Sequence, residues 1–90
     1  MSETPAESLL EFPCRFPIKM MGRDGNAFRQ IAVEAVEKHV GRIDADDISE
    51  SSSSKGNFVS ITVTITATSR EQLDSIYREL TDNEHVLVAL

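Results

Sequence analysis

The sequence predicts an α+β sandwich, one four-stranded antiparallel sheet with two helices on one face, and three observations predict it. After Phe58, residues 59–68 alternate apolar with serine or threonine side chains without a break, the period of a strand with one buried face. Two stretches, 27–40 and 70–81, repeat apolar residues at three-to-four spacing, the stripe of an amphipathic helix. Placed in chain order with shorter apolar runs, they read strand, helix, strand, strand, helix, strand.

The first eight residues, Met1 to Ser8, lack apolar periodicity and contain Pro5, so a disordered tail is expected and the domain spans 9–90. Leu9, Leu10 and Phe12 form an apolar but proline-interrupted entry suited to capping one end of the core. From Arg15 to Met21, Phe16, Ile18 and Met20 alternate with Arg15, Pro17, Lys19 and Met21, which predicts strand one. Met21-Gly22-Arg23-Asp24-Gly25-Asn26 then ends the strand, and Asp24 or Asn26 can cap the helix that follows. Phe28, Ile31, Ala32, Ala35, Val36 and Val40 carry that helix to Gly41, a suitable C-terminal stop.

Ile43 to Glu50 is acidic and weakly patterned, which allows only a short edge strand. Ser51 to Asn57 reads as the hairpin loop before the third strand. In that strand Val59, Ile61, Val63, Ile65 and Ala67 share one face and Ser60, Thr62, Thr64, Thr66 and Thr68 the other. Ser69-Arg70-Glu71-Gln72 has the form of a capping box, and Leu73, Ile76, Tyr77 and Leu80 follow on one helix face. Val86 to Leu90 reads as a last strand. With right-handed crossovers the six elements fold as a ferredoxin-like β-α-β-β-α-β sandwich with strand order 4-1-3-2. The inward set is then Phe16, Ile18, Met20, Val59, Ile61, Val63, Ile65, Val86, Val88 and Leu90. The opposite face is open and carries Lys19, Met21, the serine and threonine ladder, Leu87 and Ala89.

Composition narrows the function. The chain has 9 Lys and Arg against 15 Asp and Glu, a formal charge of −6, and its basic residues are scattered along the sequence. Neither a nucleic-acid backbone nor an anionic membrane is therefore an expected partner. No apolar run nears the roughly 20 residues that cross a bilayer. The polar N-terminus lacks the form of a secretion signal, and Cys14 has no second cysteine to pair with, so a cytoplasmic location is expected.

Leu9-Leu10-Glu11-Phe12-Pro13 with Phe16, Lys19-Met20-Met21-Gly22, Ser53-Ser54-Lys55-Gly56-Asn57-Phe58 and the alternating strand to Thr68 together resemble the YbeD-like family of small bacterial proteins, a domain of unknown function. The resemblance covers about residues 9 to 90. It implies a ferredoxin-like fold similar to ACT ligand-binding regulatory domains, and some members carry a lipoate-regulatory name. The acidic-Lys-Ala context of lipoyl attachment is absent around Lys55.

Two segments are candidate sites. Gly22, Arg23, Asp24, Gly25 and Asn26 open the first helix, where free N–H groups and the helix dipole favour an anion, and the equivalent loop of ACT-like domains takes part in amino-acid binding. Ser53, Ser54, Lys55, Gly56 and Asn57, with Thr62 and Thr64 on the open face, form a candidate interaction surface. The Ser-Ser-Lys-Gly run lies between two strands, whereas a phosphate-binding loop lies between strand and helix. Lys55 to Ile61 has a faint likeness to an RNA-recognition strand, but serine and threonine stand where stacking aromatics are needed. Asp44, Asp46, Asp47 and Glu50 lack calcium-loop spacing and read as a solvated edge. His39 suits a helix C-terminus, and neither His39 nor His85 has a nucleophile or an orienting carboxylate near it in sequence.

No catalytic set, metal set or cofactor motif is expected. The reading is a non-enzymatic regulatory or adaptor module that binds a protein partner or a small metabolite, with a homodimer among its admissible forms. The rival reading is a small anion-binding enzyme or metal-dependent protein that uses the Gly22–Asn26 loop with Arg15 or Arg23 as a clamp.

Overall fold

The uninterrupted alternation of residues 59–68 places one strand at the centre of the architecture. A computed structural model describes residues 11–23, 27–52 and 56–90. In it, β1 (Cys14–Arg23) is followed by α1 (Phe28–Val40), a 3₁₀ turn at Ala45–Asp47, β2 (Ile48–Ser52), β3 (Phe58–Ala67), α2 (Arg70–Asp82) and β4 (Val88–Ala89). The sheet order is β2-β3-β1-β4, every neighbouring pair antiparallel. This is the predicted ferredoxin-like order, read from the other edge. Residues 1–8 and the expected tail lie outside the described residues, as do Leu9 and Leu10.

Alternation decides which side chains meet the helices. Ile18 and Met20 of β1 and Val59, Ile61, Val63, Ile65 and Ala67 of β3 point inward and are buried. They meet Phe28, Ala32, Ala35 and Val36 of α1 and Leu73, Ile76 and Leu80 of α2. Phe12, Cys14 and Phe16 pack against the margin of this core. No buried side-chain polar atom among the described residues lacks a hydrogen-bond partner, so burial there meets little polar cost.

Several local expectations change. Strand one extends past Met21, because Gly22 and Arg23 pair with Val59 and Phe58. The residue at the start of α1 is Ala27, in a left-handed conformation (φ 54°) and without a side-chain cap, so neither Asp24 nor Asn26 holds that position. Ser51 and Ser52 belong to β2, paired with Ser60 and Val59; the partner strand recruits these serines where the local pattern favours a loop. The Ser69 hydroxyl accepts from the Gln72 backbone N–H at 3.1 Å, while the Gln72 side-chain oxygen Oε1 accepts from the Thr68 N–H at 2.8 Å. The capping box therefore closes one residue earlier than its usual form. Gly41 ends α1 at φ 83°, its N–H on the Glu37 carbonyl, a backbone region open to glycine.

The largest correction concerns β4. Val88 and Leu90, expected inside, are 43% and 70% exposed, whereas Ala89, expected outside, packs against the core. The Leu87 N–H donates to the Met21 carbonyl at 2.8 Å, and Val88 is the register partner of that same Met21. Two consecutive residues thus face one, a β-bulge, and a bulge reverses the parity of every side chain beyond it. Val86 stays buried before the bulge, and Leu87, Val88 and Leu90 all turn outward.

Candidate functional site

The two predicted segments come out differently. In the first, Gly22 is buried within β1, and its missing side chain is a packing requirement. A Cβ there would lie 2.5 Å from the Phe28 ring and 2.7 Å from the His85 carbonyl oxygen. Arg23 closes the strand, exposed, its guanidinium 5.7 Å from the centre of the Phe58 ring, within cation–π range. Asp24, Gly25 and Asn26 lie outside the described residues. Arg15, the other proposed clamp, is at the far end of β1, eight residues and about 26 Å from Arg23 at strand rise. The two arginines do not converge.

Of the second segment, Ser53, Ser54 and Lys55 lie outside the described residues, and Gly56 and Asn57 are exposed, Gly56 at φ 71°. Thr62 and Thr64 stand on the open sheet face, opposite Lys19 and Pro17. That face lies on the side of the sheet away from the two helices. Arg15, Pro17, Lys19, Met21 and Arg23 line it from β1, Phe58, Ser60, Thr62, Thr64 and Thr66 from β3, and Ser49 and Ser51 from β2. Along the β4 side lie Leu87 at 46%, Val88 and Leu90, with Met21 at 38% beside them.

Arg15 is anchored at one end of the face. It donates to the Thr66 hydroxyl at 3.0 Å and to the Asp47 carboxylate at 2.6 Å. Among the described residues Lys19 has no carboxylate partner. A shallow pocket of about 160 Å³ opens beside Arg15, lined also by Arg42, Asp44, Asp47, Thr64 and Thr66. A second, of about 270 Å³, lies between α1 and β2 around Arg29, Val33, Glu37 and Ile48. Both are smaller than the roughly 300–1,000 Å³ of ordinary small-molecule sites.

The remaining charged groups brace the helical layer. Glu79 of α2 receives Lys38 Nζ at 2.9 Å and lies 2.8 Å from His39 Nε2. The hydrogen bonds from Lys38 and His39 hold the Glu79 carboxyl below the usual glutamate range, and the Glu79 carboxylate holds Lys38 above the usual lysine range. His39 therefore ties the two helices together as well as ending α1. Burial pushes the Tyr77 phenol up; its hydroxyl donates to the Leu90 carbonyl at 2.7 Å. Arg29 pairs with Glu50 at 3.0 Å. Of the four carboxylates of the acidic edge, Asp47 pairs with Arg15 and Glu50 with Arg29, while Asp44 and Asp46 are exposed. No group of three or more metal-ligating side chains occurs among the described residues, and no helix there is long and apolar enough to cross a membrane.

Sequence reading placed Met21 and Leu87 on this face and missed Val88 and Leu90, because their exposure depends on the bulge. The charge on this face could have been found, since Arg15, Lys19 and Arg23 recur every four residues in a period-two segment and so share one side.

Comparison with known proteins places these features in a family. Residues 7–90 match the family model described as a protein of unknown function, DUF493. A protein of Paraburkholderia phytofirmans named UPF0250 protein is 49% identical over 84 residues, covering 93% of this chain and 94% of its own length. One of the same name from Neisseria gonorrhoeae is 46% identical, over 92% of this chain and 91% of its own. Another from a Janthinobacterium is 44% identical over the full length of both. A family whose model spans the sheet and both helices, with relatives this similar over nearly all their length, includes this chain: it belongs to the DUF493 family of small bacterial proteins.

Proposed function

We propose that the protein is a non-enzymatic adaptor or regulatory module that docks another protein on its open sheet face. The observation that carries this reading is the cluster of Met21, Leu87, Val88 and Leu90, four large apolar side chains exposed together on one flat surface. Scattered exposed apolar residues are ordinary, but a contiguous group rimmed by polar residues marks an interaction surface. Here the rim is the serine and threonine ladder with Lys19 and Arg23. The metabolite alternative has less support, since the two pockets of about 160 and 270 Å³ are small and open. The ACT-like comparison supports the reading only at the level of element order.

A photo-crosslinking residue placed at Val88, and in a second variant at the exposed Glu71 on α2, tests this in living bacteria. Discrete adducts of another protein at Val88, absent at Glu71, are the expected result. Adducts of the chain with itself at Val88 would assign the face to a homodimer. Adducts at Glu71 alone, or none at either site, would overturn sheet-face docking.

A further inference from the structure

The protein carries a net charge of −6, yet its open sheet face is basic. None of the outward positions of the four strands is acidic among the described residues, while Arg15, Lys19 and Arg23 stand in one column along β1. Apart from Asp47, which pairs with Arg15 at one end of the face, the described carboxylates are elsewhere. The two helices carry six, Glu34, Glu37, Glu71, Asp74, Glu79 and Asp82, against four cations. Of the others described, Glu11 precedes β1, Asp44, Asp46, Asp47 and Glu84 lie in the connections, and Glu50 is on the helical side of β2, where it meets Arg29. Folding thus sorts charge that is scattered in sequence into a cationic sheet face and an acidic helical layer.

We infer that the partner of this face is a protein segment with an apolar centre flanked on both sides by Asp or Glu. This deepens the docking reading above and rests on it. The register supplies the pattern. Met21 lies between Lys19 and Arg23 on β1, with Val88 across from Met21 and Leu90 hydrogen-bonded across from Lys19. Successive cations of the column are about 13 Å apart at strand rise, and the apolar border is about one strand spacing, ~4.8 Å, to the side. A segment that seats apolar side chains on Met21, Val88 and Leu90 therefore brings its flanking residues over Lys19 and Arg23. Carboxylates there meet two cations that have no carboxylate partner among the described residues, and a basic flank is repelled. A second copy of this chain fits less well: face to face, two cationic columns would oppose each other, and head to tail the contact joins two different surfaces and forms an open chain unless its rotation closes a ring. Phosphate backbones would also be drawn to the cations, but Phe58, half-buried beneath Arg23, is the one aromatic at the described outward strand positions, and Met21, Val88 and Leu90 give bases no ring to stack on.

The test is an amide-resolved NMR titration of the full chain with four probes. These are a 14-residue peptide with central leucines between glutamate blocks, the same peptide with lysine for glutamate, the same with serine for leucine, and a single-stranded ten-nucleotide DNA. The glutamate-leucine peptide is expected to shift the amides of Lys19, Met21, Arg23, Val88 and Leu90. Its affinity should fall at least about tenfold in the K19E/R23E double variant and weaken with added salt. Both substitutions lie at exposed positions, and an unchanged spectrum of the free variant verifies its fold. If the lysine peptide binds the same amides as tightly, the charge inference fails while docking on the face survives. If neither leucine-bearing peptide moves those amides, the inferred partner chemistry is overturned. Binding by the DNA alone would overturn the docking reading together with the inference.

Discussion

Gly22, which the sequence places in the candidate anion loop, also has a packing reason to be glycine. It sits in a strand, with the Phe28 ring and the His85 carbonyl where a side chain would go. A methyl group there forces the ring or the turn to move, and overpacking of this kind costs about 1–3 kcal/mol. Gly22→Ala is expected to lower the urea midpoint accordingly, and Phe28→Leu in the same chain to recover part of the loss, because the two changes share one space. A purely additive pair would show that the glycine is needed for some reason other than the ring. In sequence this glycine stands beside Asp24 and Gly25, where a turn is the natural reading. The ring that explains it comes from the next element.

At the scale of elements, β4 and the helix pair each carry a consequence. The bulge puts Ala89 against the core and Val88 outside. Ala89→Glu should therefore destabilise by about 1–3 kcal/mol, since a carboxylate loses its water there, while Val88→Glu should stay within about 0.5 kcal/mol of the parent. Denaturant titration of the two variants distinguishes this register from the strictly alternating one, which predicts the reverse order. Between the helices, Lys38 and His39 hold Glu79 ionised. A carboxyl with a lowered folded pKa adds stability that is present above the unfolded value of about 4.3 and is lost as pH falls through the folded value. Glu79→Gln should therefore lower the unfolding midpoint modestly in neutral buffer and leave it unchanged in strongly acidic buffer. A gap of equal size in both would refute the ion-pair account. Lys38 adds the mirror case, its contribution fading as pH rises past the ordinary lysine value.

Across the whole molecule, stability is graded from the middle of the sheet outward. β3 is paired along its length with β1 and along half of it with β2, while β4 meets β1 at two ladder positions. Amides of β3 should thus exchange with solvent only through global unfolding, and those of β2 and β4 earlier, through local opening. Hydrogen exchange followed residue by residue checks this; β4 amides as slow as those of β3 would contradict it. The same gradient places the proposed docking border on the less restrained edge, where a partner's contacts add order.

The fold was legible because its signals are local. A strand with one buried face must alternate, a helix with one buried stripe must repeat at three to four, and these patterns at 59–68, 27–40 and 70–81 determine element type, order and much of the core from sequence alone. The position of Thr62 and Thr64 on the open face follows from the same alternation. Tertiary structure decided what depends on a partner strand or a distant ring: Gly22 against Phe28, Ser51 and Ser52 drawn into β2, and the bulge opposite Met21 that turns Val88 and Leu90 outward. Alternation along β1 already puts Arg15, Lys19 and Arg23 on one side; tertiary structure decided where the described carboxylates go, Asp47 to Arg15 and the others away from the face, which leaves a basic face on an acidic protein.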